Sequence, residues 1–372
     1  MSIFPRTGES LRAALRRLYD SYGYSRYKMS KFEEYDLYAR NKDFLAFDGI
    51  ITFTDTNGKL MALKPDVTLS IIKNTREQAG AVRKMYYNEN VYRVAKGSRT
   101  FREIMQMGLE AIGDVDDFCV LEVLRLAAES LLLTGRGCVL ALSHLGLLSD
   151  VLHYAGIPMG RQEEALNCIA AKNLHELDAL CAALGLAPDQ ADLLRQLVSL
   201  YGSPASVIPS LRDLLRDAVP PERLQPFIAI LTALDAALPP ALLRIDFSIV
   251  SDPRYYSGFV FKGFAEGVPD SVLSGGQYDR LMREMKRTDS AIGFAVYLDR
   301  LEQFASVRAE YDVDDLLLYD AASSPEAVER EADSLRRQGR SVLAQRQVPP
   351  DIACRRVLHM REGEVISVEN RA

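Results

Sequence analysis

The chain has 372 residues, 48% hydrophobic and 26% charged, with a formal net charge of −6 and a sequence pI near 5.5. That length is enough for two or three domains with a sizeable core, in a composition ordinary for a soluble globular protein. The acidic balance argues against a protein that grips nucleic acid over a broad basic face. Five scattered cysteines, Cys119, Cys138, Cys168, Cys181 and Cys354, contain no CxxC pair and read as reduced and intracellular. The four histidines lack ligand spacing, so no metal site is expected. No segment approaches the ~20 apolar residues of a membrane span, and no signal peptide is apparent, so a cytosolic protein is expected.

Residues 10–22 (SLRAALRRLYDSY) place Leu11, Ala14, Leu15 and Leu18 at helical spacing, with Thr7 as cap and Gly23 as stop. Residues 49–66 read as a hairpin, with Ile51 and Phe53 alternating with threonines and Asn57-Gly58 as a two-residue turn. A helix follows over residues 66–73, with Asp66 at capping distance. Residues 81–93 and 104–113 predict two strands around a loop. A helix is predicted over 116–133 and a strand over 138–143. Residues 145–240 are rich in Leu and Ala and are broken at Gly156-Ile157-Pro158, Gly202–Pro204 and Pro220-Pro221. They read as helices inserted into an α/β core. Strands are expected at 242–250, 259–264 and 272–273, a helix at 279–285, and a strand turning into a helix over 291–303. The tail has its own βαβ pattern, with strands at 316–319 and 341–344, a helix at 325–337, and a closing hairpin at 357–360 and 365–368. The organisation expected is an α+β core over residues 1–308 and a small α/β tail over 312–372.

Four pairs of residues carry chemistry on their own terms. In LKPDVT (residues 63–68), Pro65 fixes a turn and Asp66 and Thr68 project near a helix start; taken alone, Asp66 reads as that helix's cap. Gln106 and Glu110 lie four apart on a strand, so both face one side. Tyr255 and Tyr256 are adjacent, so a strand would aim them at opposite faces and leave one to line a pocket. Gly275 and Gly276 allow close backbone approach to a small ligand.

Taken in order, LKPDVT, Tyr92-Arg93 with FREIMQMGLEAIG (101–113), RIDFSIVSDPRYYSGFVF (244–261) and LSGGQYDRLMREMKRTDSAIGFAVYLDR (273–300) resemble the class II aminoacyl-tRNA synthetase core in its histidyl-tRNA synthetase version. The resemblance runs from about residue 10 to 307. It implies an antiparallel sheet flanked by helices. It also implies a histidine pocket: Asp66 and Thr68 on the α-amino group, Gln106 and Glu110 on the ligand, and Tyr255 and Tyr256 around the imidazole. By the same resemblance Arg93 and Arg300 would meet the α- and γ-phosphates of ATP.

Several positions depart from the synthetase pattern. Ser251 stands where the family carries the arginine that stabilises charge during carboxylate activation, and Arg254 is three residues out of register. Losing one such preorganised donor costs on the order of 3 kcal/mol in the transition state. The loop VAKGSRT (94–100) is short, although Lys96, Arg99 and Arg102 keep positive charge. Gln277 replaces a frequent arginine. The segment 24–30 (YSRYKMS) lacks the interface proline of motif 1. The tail from residue 310 carries 13 acidic and 9 basic residues, a net −4, opposite to an RNA-binding module.

A histidine pocket beside degraded transfer machinery resembles the regulatory subunits of ATP phosphoribosyltransferase, which are paralogues of histidyl-tRNA synthetase. That family implies a non-catalytic chain, a hetero-oligomer with a short-form catalytic phosphoribosyltransferase, self-association, L-histidine as regulatory ligand, no cofactor, no tRNA and no membrane. Members end soon after the core, so the tail of roughly 60 residues is a departure and reads as a truncated anticodon-binding domain. The alternatives are a divergent histidyl-tRNA synthetase and an adenylating paralogue acting on another acceptor.

Overall fold

A computed structural model describes residues 11–41, 49–77, 80–94, 100–250, 255–303, 311–350 and 352–370. The chain divides into two compact units, residues 1–304 and 305–372. In chain order the first unit opens with α1 (Leu11–Ser21), β1 (Ser25–Arg26), β2 (Phe32–Glu34), α2 (Tyr35–Arg40), β3 (Thr52–Thr54), β4 (Leu60–Leu63) and α3 (Thr68–Asn74). It continues with β5 (Val82–Val94), β6 (Phe101–Gly113), α4 (Asp117–Leu132) and β7 (Cys138–His144). The expected cap Thr7 lies outside the described residues, whereas the stop at Gly23 has φ +79°, the left-handed conformation that ends a helix cheaply.

Six helices occupy the stretch read as an insertion. They are α5 (Leu145–Tyr154), α6 (Gln162–Ala170), α7 (Leu174–Ala183), α8 (Pro188–Ser199), α9 (Pro204–Leu214) and α10 (Pro221–Ala237), with a two-residue β8 (Tyr201–Gly202) before α9. The chain then returns through β9 (Leu243–Asp246), β10 (Phe259–Ala265), β11 (Leu273–Gln277), α11 (Asp279–Glu284), β12 (Ser290–Tyr297) and α12 (Leu298–Gln303). Because β9 pairs parallel with β7, the two need a crossover, and the six helices form it.

The main sheet has nine strands in the order β1-β5-β6-β12-β11-β10-β7-β9-β8. It is antiparallel except where β1 meets β5 and β7 meets β9. Side-chain alternation assigns each face. On β6, Met107, Leu109 and Ala111 join the large core with α1 and α4, while Ile112 joins the opposite core with α3 and α11. The same parity puts Gln106 and Glu110 on the α3 side.

One turn and one strand differ from the sequence reading. The hairpin from β3 to β4 closes through Asp55 N–H donating to the Lys59 carbonyl at 2.9 Å, so its loop is three residues, 56–58, and not two. Gly58 supplies the φ of +79° that such a loop needs. The hairpin also gains β2, which pairs with β4 through Phe32 and Leu63. Further on, β11 runs through both glycines, where a strand ending at Leu273 was expected.

The second unit has β13 (Val313–Tyr319), α13 (Pro325–Arg337), β14 (Val342–Gln345), β15 (Cys354–Arg361) and β16 (Glu364–Asn370), with sheet order β14-β13-β15-β16. Its core packs Ala327, Ala332 and Leu335 of α13 on Leu317, Leu358 and Met360. Asp315, fully buried, is held by a bidentate pair with Arg356 at 2.6 and 2.7 Å.

Candidate functional site

The sequence Lys64-Pro65-Asp66 is pinned to the sheet at three points. Lys64 Nζ, fully buried, meets Glu89 Oε2 at 2.8 Å, and its carbonyl accepts from Tyr92 N–H at 2.9 Å. Arg93 Nε donates to the Pro65 carbonyl at 3.0 Å. Those bonds hold Asp66 and Thr68 at the start of α3, above the face of β5, β6 and β12. Asp66 Oδ1 accepts from Leu69 N–H at 2.9 Å, so the carboxylate does cap its own helix. It also lines a cavity.

That cavity, about 300 Å3, is the size of a small metabolite site. Its walls include Asp66, Thr68, Arg93, Gln106, Glu110, Tyr255, Tyr256 and Gly275, residues drawn from four separated segments of the chain. Both tyrosines line it. The expectation that one would turn away assumed a strand, whereas Tyr255 and Tyr256 lie just before β10 with ring centroids 4.6 Å apart. Gly276 and Arg300 are not in the lining. A Cβ at Gly276 would sit 2.6 Å from the Phe259 carbonyl and 2.7 Å from the Tyr256 ring, so that glycine serves close packing. Arg300 stacks over Tyr297 at 4.6 Å and its Nη1 donates to the Ser271 carbonyl. Ser251, Arg254, Lys96 and Arg99 lie outside the described residues.

Glu110 is the electrostatic centre. It is 2% exposed, with Thr68 Oγ1 donating to Oε1 at 2.9 Å and Tyr278 O–H donating to Oε2 at 2.5 Å. Burial pushes its carboxyl up to about 8, against the two hydrogen bonds that favour the charged form, and Asp66 adds to the rise. Burial also raises Asp66, opposed by the Leu69 N–H and by Arg93. Two acids thus share an enclosed space with one guanidinium. Such a cavity favours a small ligand that brings positive charge and N–H donors to the acids and a carboxylate to the arginine.

Over residues 5–301 the sequence matches the family model of histidyl-tRNA synthetase. The chain belongs to that family. The ATP phosphoribosyltransferase regulatory subunit of Oceanobacillus iheyensis is 25% identical over 284 residues, covering 76% of this chain and 70% of that protein. Among solved structures, an ATP phosphoribosyltransferase regulatory subunit/histidyl-tRNA synthetase from Bacillus halodurans matches with TM-score 0.74 at 22% identity, covering 94% of this chain and 93% of its own. A chain of the ATP phosphoribosyl transferase (HisG:HisZ) complex from Thermotoga maritima matches with TM-score 0.60 at 20% identity, covering 77% of this chain and 96% of its own. At these identities the structural likenesses establish the fold, which is the one the sequence motifs imply.

In this family frame, several lining residues escaped the sequence reading. Tyr278 sits inside the quoted GGQYD motif and is 2% exposed. Tyr87 shares the parity of Arg93 on β5, a signal that was available but reads equally as core. Tyr297 pairs with Gln106, and Gly293 with Glu110, across β12 and β6. A Cβ at Gly293 would fall 1.8 Å from Glu110 Oε2, so the glycine keeps the carboxylate in place. Gln277 turns away and accepts from Phe259 N–H at 2.8 Å. Among the described residues no cluster of His, Cys, Asp or Glu is placed to hold a metal ion, and no helix is long and apolar enough to cross a membrane.

Proposed function

We propose that this chain is a non-catalytic regulatory subunit of ATP phosphoribosyltransferase, that it binds L-histidine in the cavity around Glu110, and that it works in a hetero-oligomer with a short-form catalytic subunit in the cytoplasm. The observation that carries this reading is the convergence of Asp66, Glu110 and Arg93 on one amino-acid-sized cavity. The ligand's ammonium faces Asp66 and the Thr68 oxygen, which still accepts after donating to Glu110. Its imidazole faces Glu110 between Tyr255 and Tyr256, with Gln106 as a neutral partner. The relatives named as regulatory subunits support the role. So does the replacement of the synthetase arginine by Ser251, which removes a charge that carboxylate activation needs. The acidity of the tail does not suit RNA.

Calorimetric titration of the full chain with L-histidine, with Glu110→Ala beside it, tests the pocket. Saturable binding lost in the variant is expected; equal binding in both proteins would sink the assignment. The second reading, a histidyl-tRNA synthetase, draws on the family match. It requires histidine-dependent ATP–pyrophosphate exchange and charging of tRNA, and finding either would overturn the non-catalytic role.

A further inference from the structure

A second cavity, about 930 Å3, opens between helices of the crossover, and no residue of the Glu110 cavity lines it. Asp189 and Leu193 line it from α8, four apart and so on one helix face. Asp213 and Leu214 line it from α9, and Asp217 and Ala218 follow in the turn after that helix. The walls, within residues 189–196 and 210–218, each extend for about two helical turns, roughly 11 Å. The cavity is therefore a groove. The opposite faces of both helices are spent on the core, through Leu194, Leu197 and Val198 of α8 and Val207 and Leu211 of α9.

Leu193 and Ala218 are buried and Leu214 is half-buried, so the groove has an apolar floor. Tyr154, the last residue of α5, also lines it and is 49% exposed, a large aromatic surface left open to water. The three carboxylates are exposed, and the lining contains no lysine or arginine. Asp213 is offset by Arg216 at 2.6 Å, whereas Asp189 and Asp217 have neither a hydrogen bond nor an ion pair among the described residues. The surroundings reinforce that sign: residues 145–240 carry 11 acidic and 6 basic residues, a net −5 out of the chain's −6. Such a field repels nucleic acid and draws in a basic protein surface. Apolar floor, open aromatic and unpaired acids together match a segment that is apolar along one side and basic beside it. We propose that the groove between α8 and α9 docks the catalytic phosphoribosyltransferase subunit, through a segment of about two helical turns with lysine or arginine flanking an apolar face. This docking site rests on the hetero-oligomer proposed above and places its contact on the crossover helices.

The test is sedimentation velocity of the full chain, alone and mixed with a purified short-form catalytic subunit, over a range of salt concentrations. Asp189→Lys and Asp217→Lys change exposed side chains of the groove. Glu163→Lys controls for bulk charge: it is exposed, lies outside the lining and is the second residue of α6, as Asp189 is of α8. Thermal melts check that each variant folds. Each groove reversal is expected to weaken association at least about tenfold, most at low salt, and Glu163→Lys to change it less than about threefold. Tyr154→Ala, which alters no charge, is expected to weaken association at every salt concentration. Association that neither the groove reversals nor Tyr154→Ala alters would overturn the docking site and leave the hetero-oligomer standing. Equal loss in Glu163→Lys would also overturn it, because a diffuse field would then hold the partner. So would groove variants that dissociate this chain's own oligomer while keeping the catalytic subunit, which would make a second copy the occupant. A parent chain that does not associate at all would remove both the docking site and the reading beneath it.

Discussion

Glu110→Gln separates the charge of the buried carboxyl from its shape. Glu110 ordinarily titrates near 4.5 and is pushed up to about 8 in the folded chain, mainly by burial. A raised carboxyl means that the folded state binds more protons than the unfolded state. The stability from this group is fully present below pH 4.5 and is lost as pH rises through 8. Integrating that linkage, the parent should lose on the order of 3 kcal/mol between pH 6 and pH 9 through this group alone. Glutamine cannot ionise. It faces the Thr68 and Tyr278 hydroxyls with one oxygen and one amide nitrogen, so it carries a fixed penalty, but that offset does not vary with pH. Urea denaturation at the two pH values, read as the difference between variant and parent, isolates the slope. Converging curves at pH 9 are the expected result. Parallel curves, with a difference that changes by less than about 0.5 kcal/mol, would mean that Glu110 is ionised at pH 6 and that the electrostatic account of the cavity is wrong.

Other perturbations probe the same architecture. Gly293→Ala puts a methyl group against Glu110 Oε2 and 2.6 Å from the Leu109 carbonyl. It should cost about 1–3 kcal/mol and abolish histidine binding, checked by thermal melts and calorimetry. Tyr278→Phe keeps the ring but removes the donor at 2.5 Å, and histidine affinity should fall about tenfold or more. Lys64→Ala leaves Glu89 unpaired beside the turn that carries Asp66, with an expected loss of about 3 kcal/mol in chemical denaturation. Arg300→Ala removes a contact outside the cavity lining, so histidine affinity should change less than about fivefold.

Much of the fold was legible because its elements obey simple periodicities. The helix α13 begins and ends where Pro325 and the Arg336-Arg337 pair place it, and Gln106 and Glu110 face one side because strand parity demands it. What stayed hidden depends on contacts between distant segments. Tyr255 and Tyr256 both reach the cavity because the chain there is not a strand, and Asp66 serves as cap and cavity wall at once. Tyr278, Tyr87 and Gly293 sit in patterns that local sequence cannot tell from ordinary core. Their roles emerge only once β12 lies beside β6 and brings Gly293 against Glu110. Arg300, whose motif position points to a nucleotide, lies outside the cavity lining, with its guanidinium over Tyr297, which does line it.

The central claim is regulatory, and reconstitution tests it most directly. A short-form catalytic ATP phosphoribosyltransferase subunit is assayed alone, with this protein, and with this protein plus L-histidine. The account predicts that this protein co-purifies with the catalytic chain and raises its activity. It also predicts that L-histidine lowers that activity, and that Glu110→Ala keeps the activation while losing the inhibition. Failure to associate, together with histidine-dependent charging of tRNA by this chain alone, would contradict it.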